Sequence, residues 1–86
     1  MAHLHFTQQL SRFLNVPTVD VVASCLRAAL DSVFAQQPRL RGYVLDEQGA
    51  LRPNVVIFID GARCRDLDDA LRPDSQVYIL QALSGG

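Results

Sequence analysis

The residues able to do chemistry are few, so their spacing has to carry the reading. His3 and His5 sit two apart, so a strand would aim both at one face. Two imidazoles without a third ligand make a weak metal site, and a solvated or partner-facing pair is the plainer reading. Asp66, Asp68 and Asp69 cluster without the calcium-loop pattern and read as a solvated turn. No metal is expected. None of Ser24, Ser32, Ser75 and Ser84 stands in a GxSxG frame, and neither GxGxxG nor a Walker loop occurs. Cys25 and Cys64 lack CxxC spacing and are expected as reduced thiols, since an iron–sulfur cluster would need four cysteines. All eight basic residues are Arg. Arg stays protonated and is a poor nucleophile, so only the N-terminal amine could attack an activated acyl group. What remains is the end, Ser84-Gly85-Gly86. Glycine passes a narrow channel and takes any φ, and it leaves the terminal carboxylate unhindered. A carboxylate becomes an acyl donor only after activation, usually adenylation by ATP.

The frame for that tail is small. A chain of 86 residues is one domain and buries about 60% of the surface its unfolded form exposes. It is 49% apolar, 20% charged and 7% aromatic, a globular profile. A net charge of −1 leaves no basic excess for phosphates, which argues against a nucleic-acid partner. No apolar run reaches the roughly 18 residues of a membrane span. Met1-Ala2-His3-Leu4-His5 has neither the basic patch nor the apolar run of a signal peptide, so the expected location is cytoplasmic.

Alternation of Leu4 and Phe6 with His3, His5 and Thr7 predicts a half-buried strand. Residues 8–15 read as a loop or a short helical turn that tucks Leu10, Phe13 and Leu14 against the core. Residues 16–22 are β-branched but hold Pro17, so they predict an edge strand or one that begins after Pro17. Ser24 is a candidate N-cap. Leu26, Ala29, Leu30, Val33 and Phe34 then form one apolar stripe at helical period, and Pro38 stops the helix. Residues 39–53 read as a connection with a short extended piece at Tyr43-Val44-Leu45 and a turn ending at Gly49. Residues 54–59 predict a strand, Asp60-Gly61 a tight hairpin turn, and 62–65 the returning strand. Residues 66–71 read as one helical turn, and 76–80 as the last strand. Residues 55–59 and 77–80 do not alternate, so both faces of the sheet need cover. One long helix covers one face. The surplus apolar side chains predict loop cover, a homodimer or, ahead of these, a partner site.

A strand–strand–helix–strand–strand order ending in Gly-Gly resembles the ubiquitin-like β-grasp superfamily, and within it the MoaD/ThiS family of sulfur carrier proteins. Asn54-Val55-Val56-Ile57-Phe58-Ile59-Asp60-Gly61 resembles the family's VxVFVNG strand and turn. Leu71-Arg72-Pro73-Asp74-Ser75-Gln76-Val77-Tyr78-Ile79-Leu80 resembles LxxGDEVxxxP, and Ala82-Leu83-Ser84-Gly85-Gly86 resembles PxxGG. The departures are Asp74-Ser75 in place of Gly-Asp, Gln81 in place of proline, and a long 39–53 connection of the MoaD or CysO type. The resemblance implies an α+β fold: a mixed four- to five-stranded sheet packed on one main helix over 24–36. Residues 1–83 would form the domain and 84–86 a flexible tail.

It also implies a carrier rather than an enzyme, one that binds no cofactor itself and could be the small subunit of a synthase. A MoeB/ThiF-type activating enzyme would adenylate Gly86 with ATP and magnesium. A sulfur donor would displace AMP and leave a thiocarboxylate. A sulfur-accepting biosynthetic enzyme, serving molybdopterin, thiamin, cysteine or another sulfur metabolite, would receive the tail, Ser84 and Gly85 with it. In a β-grasp sheet the first and last strands lie side by side at the centre. Val77 and Ile79 would then face the helix. Tyr78 and Leu80 would face out beside His5 and either Val56 or Phe58, forming with Leu83 the expected partner-binding set. The rivals are a ubiquitin-like modifier joined through Gly86 to target lysines, a plain interaction module, and a permanent subunit.

Overall fold

The computed structural model describes residues 1–6, 18–64 and 66–81. Residues 8–15, the tail residues Leu83, Ser84, Gly85 and Gly86, and Arg65 lie outside that set. The elements are β1 (Ala2–Phe6), β2 (Thr18–Val21), α1 (Leu26–Gln36), α2 (Pro38–Val44), β3 (Val55–Ile59), β4 (Ala62–Cys64) and β5 (Gln76–Gln81). The five strands form one sheet in the order β2-β1-β5-β3-β4. β1 and β5 pair in parallel at its centre, and all other neighbours are antiparallel. β2 begins at Thr18, after Pro17 in the chain, and lies at one edge.

The core forms where the helical stripe meets the inward side chains of the sheet. Leu26, Ala29, Leu30, Val33 and Phe34 of α1 are all buried. So are Leu4, Val55, Ile57, Val77 and Ile79, which alternate with outward neighbours along β1, β3 and β5. The apolar runs that looked two-sided are therefore one-sided in packing. Their surplus members point away from α1.

Three local readings need correction. First, the N-cap of α1 is Cys25, with no side-chain capping bond, rather than Ser24. The orphan amides at the helix start find backbone carbonyls instead: Leu26 N–H donates to Asp69 O at 3.0 Å and Arg27 N–H to Leu67 O at 2.7 Å. Second, the segment supplying those carbonyls holds a single hydrogen-bonded turn, with Asp69 N–H donating to Asp66 O at 3.0 Å, but no helix. It crosses the helix start and ends in an isolated bridge between Ala70 and Cys25. Third, the 39–53 connection begins with a second helix. Pro38 ends α1 and stands in the first turn of α2, where its missing N–H costs nothing. Leu40 and Val44 of α2 are buried, so Tyr43 and Val44 are helical rather than extended. Leu45 alone joins a bridge, to Leu51.

Gly42 sits inside α2, and a Cβ there would meet nothing within 4 Å. Gly42→Ala is expected to stabilise the domain by about 0.5–1 kcal/mol, because helical Gly sacrifices backbone entropy for no packing gain. Urea unfolding of the two chains measures it. An unchanged or lowered midpoint would contradict the open environment of Gly42.

Candidate functional site

The face of the sheet opposite α1 carries the residues singled out by sequence. Cross-strand register puts His5 opposite Tyr78 on β5, Tyr78 opposite Phe58 on β3, and Leu80 opposite Val56. Tyr78 is exposed at 45%, and His5, Val56, Phe58 and Leu80 are half-buried. Both Val56 and Phe58 belong to this face, where sequence left the choice open. Each is adjacent to a buried neighbour, Val55 or Ile57, that takes the helix side. Leu83 lies outside the described residues, as do Ser84, Gly85 and Gly86.

The histidine half of the face is held by polar contacts. His5 stacks on Tyr78 with ring centroids 4.5 Å apart and planes 14° from parallel. One His5 nitrogen meets Gln76 Oε1 at 2.7 Å and the other Thr18 Oγ1 at 3.2 Å. An Nε2–H donor to Gln76 and an Nδ1 acceptor from the Thr18 hydroxyl satisfy both contacts at once. His3 Nδ1 meets Asp20 Oδ1 at 2.6 Å. The two histidines thus have partners within the sheet. Among the described residues no group of three or more His, Cys, Asp or Glu is placed to hold a metal. Sequence reasoning missed Thr18 and Gln76. Gln76 was legible as two before Tyr78 on the same strand face; Thr18 needs the β1–β2 register, which no local pattern supplies.

The start of β5 is anchored by the hairpin turn. Asp60 (φ 51°) and Gly61 (φ 87°) both take the left-handed region, as a two-residue hairpin loop requires. Asp60 Oδ1 accepts from Gln76 N–H at 2.8 Å, and Asp60 Oδ2 accepts from the buried Ser75 hydroxyl at 2.9 Å. The Arg72 N–H donates to Ser75 Oγ at 2.8 Å. The Gln76 amide, then the Ser75 hydroxyl, hold the Asp60 carboxyl below its ordinary pKa. The folded chain therefore favours the carboxylate. Its contribution is complete above the ordinary Asp value, about 4, and fades as pH falls through the lowered one. Asp60→Asn keeps the turn conformation but not the titration. It is expected to flatten the loss of stability between about pH 5 and pH 3. Urea midpoints across that range test it, and parallel curves for the two chains would remove Asp60 from the acid response.

Cys64 is a poor nucleophile. Both cysteines are free. Cys64 is buried on the inward side of β4, and its thiol donates to Asp66 O at 3.0 Å and contacts Asp69 Oδ2 at 3.2 Å. Burial first, then the Asp69 carboxylate, pushes it up to about 11. A groove of about 570 Å³ is lined by Ala2, Val22, Leu71 and Pro73 among others. It opens at the end of the sheet where β1 and β5 begin, opposite the end from which Gln81 runs on toward Gly86.

A parallel β1–β5 pair flanked by antiparallel strands, with the main helix across one face, defines the ubiquitin-like β-grasp fold. The chain shares this fold with several solved structures. It superposes on a chain of the Amycolatopsis orientalis BexX/CysO complex with a TM-score of 0.90 at 14% identity, covering 100% of each. CysO from Mycobacterium tuberculosis gives 0.86 at 19% identity, over 96% of this chain and 100% of that one. SAMP1 from Haloferax volcanii gives 0.83 at 22% identity, over 99% and 98%. No family sequence model matches the chain, and no curated relative does. Among the described residues no helix is long and apolar enough to cross a membrane.

Proposed function

We propose that this chain is a cytoplasmic sulfur carrier rather than an enzyme, with Gly86 as the carrying residue. A carboxylate oxygen of Gly86 attacks the α-phosphorus of magnesium-bound ATP on a MoeB/ThiF-type activating enzyme, and pyrophosphate leaves. Sulfide then attacks the acyl carbon, AMP leaves, and a thiocarboxylate remains for a sulfur-accepting biosynthetic enzyme. The observation that carries this reading is the outward apolar set Val56, Phe58, Tyr78 and Leu80 on the strand that leads toward Gly86 and its neighbour. A carrier must engage several enzymes in turn, so it needs a reusable face beside its tail. Similarity to CysO, and to a protein named as a molybdopterin converting factor subunit, supports the sulfur-transfer setting.

A second reading has its own support. Similarity extends to proteins named small archaeal modifier protein 1. In a modifier, the amine of a target lysine would displace AMP from the same acyl-adenylate and form an amide. The absence of Lys from this chain rules out lysine-linked chains of itself.

Intact mass spectrometry separates the readings. The chain is incubated with a MoeB/ThiF-type enzyme, ATP, magnesium and sulfide, beside a variant lacking Gly86. The expected result is the mass gain of one oxygen-to-sulfur exchange, absent in the variant. Adducts on the lysines of other proteins would make it a modifier. No change with several activating enzymes would overturn both.

A further inference from the structure

The outer sheet face is chemically lopsided. On the β2–β1 side Asp20 is held by His3 at 2.6 Å, and both nitrogens of His5 are engaged. On the β3–β4 side Arg63 stands directly across from Phe58 and is exposed. Cys64, next along β4, is buried, so alternation aims Arg63 to the Phe58 side of the sheet. No hydrogen bond or ion pair engages the Arg63 guanidinium among the described residues. The apolar patch thus has a satisfied polar border on one side and, on the other, a cation with no partner among the described residues.

We infer that Arg63 is a specificity-determining residue of this face, and that the occupant is a different protein presenting a carboxylate opposite β4 beside an apolar side chain that covers Phe58. This rests on the proposed function only for the choice of partner to test. A guanidinium at the rim of an apolar patch offers a planar fork to a carboxylate as water leaves, and it penalises any surface that brings a cation or nothing. A second copy fits poorly. About a two-fold axis along the strands, its Thr18 would lie level with Arg63, and Asp20, two residues along, is already taken by His3. About an axis across the strands at the level of Phe58 and Tyr78, the centre of the patch, Arg63 would meet its own equivalent.

The test is calorimetric titration of a MoeB/ThiF-type activating enzyme, without ATP, into the wild-type chain, Arg63→Glu, Arg63→Lys and the off-face control Arg39→Glu on α2. Each is measured at about 50 and about 300 mM salt. Arg63→Glu is expected to bind about tenfold more weakly or worse, with melting unchanged, while Arg39→Glu stays within about twofold. Arg63→Lys is expected to fall between them. Raising salt should weaken the wild type and relieve part of the Arg63→Glu deficit, so that the two affinities converge. Reversing the contacted carboxylate of the enzyme to Arg should restore Arg63→Glu. Equal affinity of Arg63→Glu and wild type would overturn the inference, even if Gly86 still acquires sulfur. Arg63-dependent binding without sulfur transfer would overturn the carrier reading and leave this inference standing. Absence of binding to every such enzyme would overturn it. So would a concentration-dependent dimer abolished by Arg63→Glu, which would assign the face to a second copy.

Discussion

Leu80→Asp is expected to abolish productive docking on the proposed activating enzyme while leaving the domain folded. Leu80 points outward from β5 and pairs across the ladder with Val56, at the end of the strand nearest the tail. On the proposed carrier reading, a partner that seats Gly86 covers this position. Truncating a central apolar anchor costs about 2–4 kcal/mol of binding, roughly 30- to 1000-fold, and a carboxylate adds the cost of burying an unpaired charge. The fold should persist because Leu80 is half-buried, whereas Val77 and Ile79 on the same strand are fully buried and carry the packing on α1. Phe58→Ser is the matched variant. It removes the aromatic ring without placing a carboxylate opposite Arg63. Acyl-adenylate formation and a thermal melt on each variant decide the matter. Normal activation in both would remove this face from the docking reaction. Unfolding of both would show that the outer side chains belong to the core.

What the sequence made legible follows from how local each signal is. The α1 stripe was readable because five apolar residues at one helical period require a single buried surface, and all five occupy it. Asp60-Gly61 was readable because few residue pairs tolerate two positive φ angles in succession. Pro38 misled because proline marks a helix start as well as a helix stop, and here it does both within one residue of Gln37. The cap of α1 was invisible for a different reason. Its donors are satisfied by carbonyls of Leu67 and Asp69, some forty residues distant in sequence, so a local serine was a reasonable but wrong surrogate. The candidate site divides along the same line. Which side of β5 faces out follows from alternation once one buried residue is known. The neighbourhood of His5, Tyr78 and Phe58 comes from a parallel pair joining the chain's two ends, which no window along the sequence contains. Arg63 escaped notice because a three-residue strand is too short to show a period.

The same division between faces predicts the opposite outcome inside. Leu30→Ala is expected to destabilise the domain by about 3 kcal/mol, with little direct effect on docking per folded molecule. Leu30 is 1% exposed at the middle of the α1 stripe and belongs to the cluster with Leu4, Ile57, Val77 and Ile79. Removing its branched end deletes apolar contacts and leaves a void that close-packed neighbours fill only in part. Domains of this size hold only about 4–13 kcal/mol in total, so this one change takes a large share of it. The corresponding fall in Tm is about 12–24 °C. Ile79→Val, which removes a single methylene from the facing strand, should cost about 1 kcal/mol and calibrate the scale. Urea unfolding with an unchanged slope and a lowered midpoint is the expected signature. A loss below about 1 kcal/mol for Leu30→Ala would mean that α1 is not seated on the sheet as described. If Leu80→Asp then proved the more destabilising of the two, the assignment of inner and outer faces would have to be reversed.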